Sequence, residues 1–539
     1  MKPIEGYDKL RGGYYTPKSI AKYITEWAVR SSTDTVLEPS CGDGSFLEAV
    51  CSRLSEQGCL VESLPFQVLG VELDPSEACK ATQYPVTIIN EDFFTYFAAN
   101  DKHYDVVVGN PPFIRYQNFN EEYRQIAFKL MQKYGFHPNK LTNIWLPFLL
   151  LSCNILTQNG RIGMVIPAEL FQVDYAAEAR QFLSEFFDEL ILITFKQLIF
   201  DDIQQEVVLL LGEKTSKNKG IRVIELVGID DLVQGVSGLD TAEVKELDHS
   251  SEKWVKYYLS NSELRLLKHL TQNPRLTPTT ALFEVNVGLV SGENDFFVIT
   301  KDTVDHFNLH NHVVSIVSKA EQVKGLEFSE SNLKESVNNN RRVFMFDPED
   351  KPLEELSKEE QDYIAYGELT GFRTNYKCRI RKRWYIVPRT WKPEAFLIRQ
   401  ANLYTKIILN EADAMVTDTL HKVRFLEGVN KKAVAAAFVN TYTLALSETI
   451  GRSYGGGVLT FEPGEIRKLK IPMIGSESLD LNQMDAWQRK GDIEQMLAYT
   501  DRVLLREGLN LMPTEIETLH SVWRKLRDRR INRKQSRNR

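Results

Sequence analysis

The residues of this chain that most directly suggest chemistry are Asn110-Pro111-Pro112-Phe113. They close an apolar run, Tyr104 to Val108, that reads as a strand ending at Gly109. The Asn110 side chain offers one carbonyl acceptor and the Pro111 backbone carbonyl a second. Pro112 has no N–H and a fixed φ, so the turn is stiff. Phe113 adds an aromatic face. Two acceptors beside a ring suit one planar amine, such as the exocyclic amine of a nucleobase turned out of its helix. Asn-Pro alone is an ordinary turn after a strand, so the meaning of the tetrapeptide depends on what lies upstream.

Upstream, Thr35 to Leu47 reads as a short apolar strand, a small-residue turn and the start of a helix. Gly42 and Gly44 let the backbone come close to a ligand. The spacing is Gly-x-Gly without the third glycine of a dinucleotide fingerprint, and Glu38 precedes the turn. The next strand, Phe66 to Glu72, ends in a carboxylate that can accept both hydroxyls of a ribose, with Leu73 beside it. A third strand, Val86 to Asn90, leads into Glu91-Asp92-Phe93-Phe94, where an acid can receive an adenine amine and an aromatic ring can cover it. The series has the spacing of βαβ units.

Together these segments resemble the class I S-adenosyl-methionine-dependent DNA methyltransferases that act on the amino group of adenine, in the arrangement typified by the TaqI modification enzyme. The resemblance spans roughly residues 1–215 and is looser beyond. It implies an α/β fold: a Rossmann-like domain with a mixed, mostly parallel sheet, followed by an α+β target-recognition domain. It also implies that Thr16, in the segment Tyr15-Thr16-Pro17, contacts the methionine part of the cofactor, and that Glu38, Ser40 and Cys41 line the same end. Glu72 then serves the ribose, Asp92 and Phe93 the adenine, and Asn110 to Phe113 form the catalytic loop. On the apolar helix Asn143 to Leu151, Phe148 matches the aromatic that packs on the cofactor adenine. Phe200, before the strand ending at Leu211, matches the aromatic that stacks on the extruded base. The basic residue that the family carries nearby is absent, since Ile203 and Gln204 stand there.

The resemblance implies a direct reaction. An adenine amine is a poor nucleophile because its lone pair is delocalised into the ring. Accepting both its hydrogens favours a pyramidal nitrogen, which attacks the sulfonium methyl in line. Positioning and electrostatics carry such a step, and no enzyme nucleophile is required.

The chain of 539 residues is long enough for two or more domains. Composition is ordinary globular material, 43% hydrophobic and 26% charged. The six cysteines (Cys41, Cys51, Cys59, Cys79, Cys153, Cys378) form no C-x-x-C pair, so neither a zinc site nor a disulfide framework is expected. No signal peptide or bilayer-spanning run is read, which fits a cytoplasmic, nucleoid-associated enzyme of a bacterium or archaeon. The net charge of −7 does not exclude a nucleic acid, because binding depends on where charge lies. Between Leu369 and Pro393 there is no acid, while basic residues, Arg379, Arg381, Lys382 and Arg383 among them, are interleaved with Tyr376, Trp384, Tyr385 and Trp391 on expected β structure. Those four basic residues are the expected DNA contacts. A solvated edge strand is the plainer alternative. Arg524 to Arg539 is a second basic stretch, with Asp528 its only acid.

The expected division is a catalytic domain over 1–245, a target-recognition domain over 246–510 and a basic C-terminal helix and tail over 511–539. The expected protein is a monomeric, site-specific adenine methyltransferase acting on double-stranded DNA and protecting it from a separate cognate restriction endonuclease. An RNA or protein-glutamine N-methyltransferase, or a catalytically silent DNA-specificity protein, are the alternatives. Glu349-Asp350-Lys351 has the E-x-K form of a nuclease but lacks an upstream Pro-Asp partner.

Overall fold

The computed structural model describes residues 16–197, 199, 206–233, 241–454 and 457–535. The chain forms two compact units, one reaching Leu264 and the other spanning Arg265–Gln535. Among the described residues, no helix is long and apolar enough to cross a membrane.

The first unit is built on an eight-stranded sheet. Its strands are β1 (Val36–Glu38), β2 (Val68–Glu72), β3 (Thr87–Asn90), β4 (Tyr104–Gly109), β5 (Leu156–Pro167), β6 (Glu189–Phe195), β7 (Val207–Glu213) and β8 (Gly220–Leu226). They lie in the order β3-β2-β1-β4-β5-β7-β6-β8. Strands β1 to β5 pair in parallel, β7 is antiparallel to both β5 and β6, and β6 is parallel to β8. This is the mixed, mostly parallel sheet that the sequence suggests. Alternation along the strands divides the core. Leu37, Val71 and Val107 face one layer, while Val36, Val68, Val106 and Val108 face the other. Helices α1 (Lys18–Ala28) and α2 (Ser45–Glu56) supply Ile20, Ile24, Phe46 and Leu47 to the second layer. The helices α3 (Phe93–Ala99) and α4 (Trp145–Asn154) bury their aromatic residues in the first.

The topology carries a consequence for function. Strands β2 and β4 flank β1, so the chain reverses direction of travel across the sheet there. In open α/β sheets a ligand binds outside the carboxyl ends of the strands at such a switch point. Two details differ from the sequence reading, the start of β2 and the conformation of the basic-aromatic segment. Phe66 and Gln67 end a short helix, Leu64–Gln67, because Pro65 at its start favours the helical turn, and β2 begins only at Val68. The pairing of β4 with β5 shifts register between Tyr104 and Val106, which accommodates the turn residues before Arg161. The basic-aromatic segment of the second unit is not β structure.

That second unit contains a five-stranded sheet in the order Phe283–Val287, Leu420–Phe425, Ala395–Ile398, Ile407–Asn410, Glu327–Phe328. A four-stranded sheet and several helices accompany it, among them the long Pro513–Gln535. Residues 372–393 run through a 3-10 turn (Phe372–Thr374), one helical turn (Tyr376–Arg379) and irregular chain. Its apolar residues do not alternate. Cys378, Trp384, Tyr385 and Val387 are all buried, a spacing that fits a folded-back loop and not a strand.

Candidate active site

Strand β1 delivers Glu38 and then turns through Pro39 to Gly44 into α2. The turn is tied to β2 because Cys41 N–H donates to the Val71 carbonyl at 2.9 Å. Gly42 and Gly44 have φ values of +53° and +94°, where a side chain is strained. At Gly44 a Cβ would also sit 2.5 Å from the Tyr84 ring, whereas at Gly42 it would meet nothing within 4 Å. The backbone is thus open to a ligand at Gly42 and packed at Gly44.

Glu72 closes the turn from β2. One carboxylate oxygen accepts from Gly42 N–H and the other from Asp74 N–H, each at 2.8 Å. Burial raises its pKa against the lowering effect of those two donors. Leu73, beside it, is exposed. Glu38 is more extreme. It is buried, and burial, joined by the charges of Glu72 and Asp43, holds its carboxyl well above the usual carboxylate range. Its Oε2 has no hydrogen-bond partner among the described residues. A buried acceptor of that kind, facing a glycine turn with open space, fits a ligand that brings an ammonium.

The carboxyl end of β4 lies against this turn. A side chain at Gly109 would start 3.5 Å from Pro39 and 3.6 Å from Glu38. Asn110 follows immediately. Its Nδ2 donates to the Thr16 hydroxyl at 3.1 Å, and its backbone carbonyl accepts from the Ser40 hydroxyl at 3.4 Å. Thr16, Ser40 and Asn110, separated by up to 94 positions, therefore form one cluster. The bond to Thr16 fixes the amide plane and so the direction of its acceptor end. Phe113 packs partly buried against both core layers. The loop is held further on, where Ile144 N–H donates to the Ile114 carbonyl.

Cys41, Asp92, Phe93 and Phe148 are buried and make contacts within the protein. Cys41 directs its thiol toward Gly70, where a Cβ would lie 2.9 Å from Sγ. Burial raises that thiol's pKa strongly. Asp92 caps α3, accepting from Thr95 N–H at 3.0 Å. Phe93 and Phe148 stack on each other, with centroids 5.1 Å apart and planes at 18°. Phe200 lies outside the described residues.

Sequence reasoning missed the residues that brace the loop after Phe113 and the chain that follows β5. Buried Arg124 donates to the Tyr116 and Phe119 carbonyls, stacks over the Tyr116 ring at 4.1 Å and pairs with Glu121, shaping the loop after Phe113. Asn143 and Trp145 both donate to Tyr175, and Asn143 and Tyr175 both reach Glu169. Buried Arg180 spends its guanidinium on the carbonyls of Leu170, Val173, Ser251 and Glu252. The only sequence signals were charged or polar residues at otherwise apolar positions.

In the second unit the four basic residues separate. Arg379 and Lys382 are exposed, with no ion pair among the described residues. Arg381 donates to the Val290 carbonyl and lies over the Phe297 ring, and Arg383 pairs with Asp350 at 2.5 Å.

Comparison with known proteins agrees with this geometry. Residues 72–200 match the family model described as Eco57I restriction-modification methylase. Residues 251–505 match that described as the C-terminal domain of type II methyltransferase M.Eco57I. The type II methyltransferase M.AccI of Acinetobacter calcoaceticus is 24% identical over 480 residues, covering 84% of each chain. M.XamI of Xanthomonas campestris pv. amaranthicola is 23% identical over 484 residues, covering 86% of this chain and 85% of its own. Among solved structures, the type IIL restriction-modification enzyme MmeI, in complex with DNA, shares the fold. Its TM-score is 0.59 at 10% identity, over 94% of this chain and 75% of that one. Two family models matched in order along the chain, the M.AccI and M.XamI relatives and the class I methyltransferase sheet together identify the protein as a restriction-modification DNA methyltransferase.

Proposed function

We propose that the protein transfers a methyl group from S-adenosyl-methionine to the N6 amine of an adenine extruded from duplex DNA, at a specific site, as the modification half of a restriction-modification system. The observation that carries this reading is the cluster of Thr16, Ser40 and Asn110 beside the Glu38–Gly42 turn. It sets an amine-accepting loop next to a glycine turn with a buried carboxyl group.

When bound, the cofactor supplies an electrophilic methyl on a sulfonium centre. The chain's own residues do the rest. Glu38 receives the ammonium of the zwitterionic amino-acid end, beside the backbone at Ser40 to Gly42, and Glu72 receives the ribose hydroxyls. Asp92, Phe93 and Phe148 serve the adenine end, where the two stacked rings offer an aromatic wall. The Asn110 side-chain carbonyl and the Pro111 carbonyl accept the two amine hydrogens, which localises the nitrogen lone pair. Phe113, with Phe200, holds the base plane. Because the Asn110 amide is already fixed through Thr16, little reorganisation is needed when positive charge develops on the nitrogen.

Two expected results follow. Glu72→Ala weakens S-adenosyl-methionine binding at least tenfold, about 1.4 kcal/mol, by titration calorimetry. It removes both the ribose acceptor and the partner of Gly42 N–H. Unchanged affinity would take Glu72 out of the site. For DNA, the double variant Arg379→Gln/Lys382→Gln flattens the dependence of log affinity on log salt by about two units, since each exposed cation releases about one counterion. Arg383→Gln changes it less, because Asp350 already neutralises that guanidinium. Equal slopes for the double variant and the wild type would make this segment an ordinary solvated loop.

A further inference from the structure

The second unit holds a buried lysine in its five-stranded sheet. Lys422 lies in the strand Leu420–Phe425 of the five-stranded sheet, in register with Asn286 on one side and Phe396 on the other. It is 6% exposed. Among the described residues no carboxylate pairs with it. Its ammonium donates to the Thr390 hydroxyl and sits 4.3 Å from the centroid of the Trp391 ring. Arg424, two positions along and so on the same face, lies 4.9 Å from the same ring and is bound to Glu284 at 2.6 Å. Burial, and then the charge of Arg424, push the Lys422 pKa below its ordinary value.

An ammonium withdrawn from water without an anion destabilises a fold, and a methionine would pack in the same space without that cost. Thr390 and the aromatic ring satisfy only part of its hydrogen-bonding capacity, since an ammonium has three donors. What is missing is one acceptor carrying one negative charge. Arg424 is already offset by Glu284, so the excess at this face is a single positive charge. A phosphodiester carries a single negative charge, whereas a free phosphate or a nucleotide carries more.

We propose that Lys422, Arg424 and the Thr390 hydroxyl form a phosphate site, walled by Trp391, that takes one phosphodiester of the DNA backbone. The proposal rests on the reading of the protein as a DNA methyltransferase. It assigns a DNA contact to a buried strand residue outside the basic-aromatic segment's own charges.

The test uses the full chain and a fluorescent duplex, with anisotropy across a salt series. Lys422→Met flattens the slope of log affinity against log salt by about one unit, and Lys422→Arg retains it. Thermal unfolding of Lys422→Met without DNA occurs at the wild-type temperature or above, because an uncompensated charge has been removed. A lysine with a purely structural role gives the reverse: a lower unfolding temperature and an unchanged slope, which overturns the proposal. Should Lys422→Met fail to fold, Arg424→Gln provides the second variant, at a half-exposed position. Because Glu284 already neutralises that guanidinium, Arg424→Gln flattens the slope less, so Lys422→Gln is measured beside it: it flattens the slope by about one unit, and a wild-type slope in Lys422→Gln overturns the proposal. Inorganic phosphate and a mononucleotide, titrated separately by calorimetry, distinguish sources. Binding of either that is lost in Lys422→Met, alongside an unchanged DNA slope, makes this a small-anion site and overturns the backbone assignment. If the wild type itself does not bind duplex DNA, the underlying functional reading fails, which is distinguishable from failure at Lys422 alone.

Discussion

Asn110→Ala is expected to reduce the rate of methyl transfer by about 10²- to 10³-fold while leaving S-adenosyl-methionine affinity within a few-fold of wild type. The magnitude is that of losing one preorganised polar partner of a charge that develops in the transition state. The selectivity follows because the acceptor matters most when the nitrogen pyramidalises, so kcat falls and ground-state binding does not. The bond from Asn110 to Thr16 makes the choice of control important. Asn110→Asp keeps an acceptor at the same distance from the backbone, and the Thr16 hydroxyl can donate to it. It is expected to retain more activity than Asn110→Ala. Single-turnover measurement with saturating cofactor separates the two. Equal loss in both would mean that the amide N–H₂, and not the acceptor, is the essential group.

Glu38→Gln is expected to move stability and cofactor affinity in opposite directions. Burial, reinforced by Glu72 and Asp43, raises the Glu38 pKa in the folded protein. A carboxyl whose folded value exceeds its unfolded value of about 4.3 binds more protons folded than unfolded. Its effect on stability is therefore absent well below that unfolded value and becomes increasingly unfavourable as pH rises through the folded value. Removing the titration removes that penalty, so at pH 8 and without cofactor Glu38→Gln unfolds at a higher temperature than wild type. The cofactor's ammonium repairs the same defect in the wild type. Cofactor affinity of the wild type accordingly rises with pH over the range where free Glu38 loses its proton, and Glu38→Gln binds at least tenfold more weakly, with a flatter pH profile. Calorimetry and scanning fluorimetry over a pH series measure both. A variant that is less stable and binds as well as wild type would make Glu38 a structural residue.

The frame of the site was legible because strand ends are. Apolar runs closed by Glu38, Glu72, Asn90 and Gly109 set four parallel strands in sequence, and parallel pairing brings their carboxyl ends to one edge. The glycine turn was legible too, since only Gly-rich sequence tolerates φ of +53° and +94° in such a short span. Side-chain direction within the turn was not. Spacing puts Cys41 in the loop, but the backbone bond to Val71 rotates its thiol toward Gly70. Asp92 carries a capping signal, with Thr95 three residues on, so the start of the helix sets the direction of its carboxylate. The basic-aromatic segment misled because its composition suits a strand, while the positions of Trp384 and Tyr385 bind it to the core around Phe296. Residues that act through another, such as Arg124 and Arg180, leave no spacing at all, because their partners are backbone carbonyls.

The central claim is the identity of the methylated atom. The most direct test incubates the protein with isotopically labelled S-adenosyl-methionine and duplex DNA, digests the DNA to nucleosides and separates them by mass spectrometry, with Asn110→Ala in parallel. The expected result is label in N6-methyladenosine of the deoxy series, from duplex DNA, with the signal falling about 10²-fold or more in the variant. Label in a methylated cytosine, label only in RNA or protein, or full labelling of adenine by Asn110→Ala would contradict it.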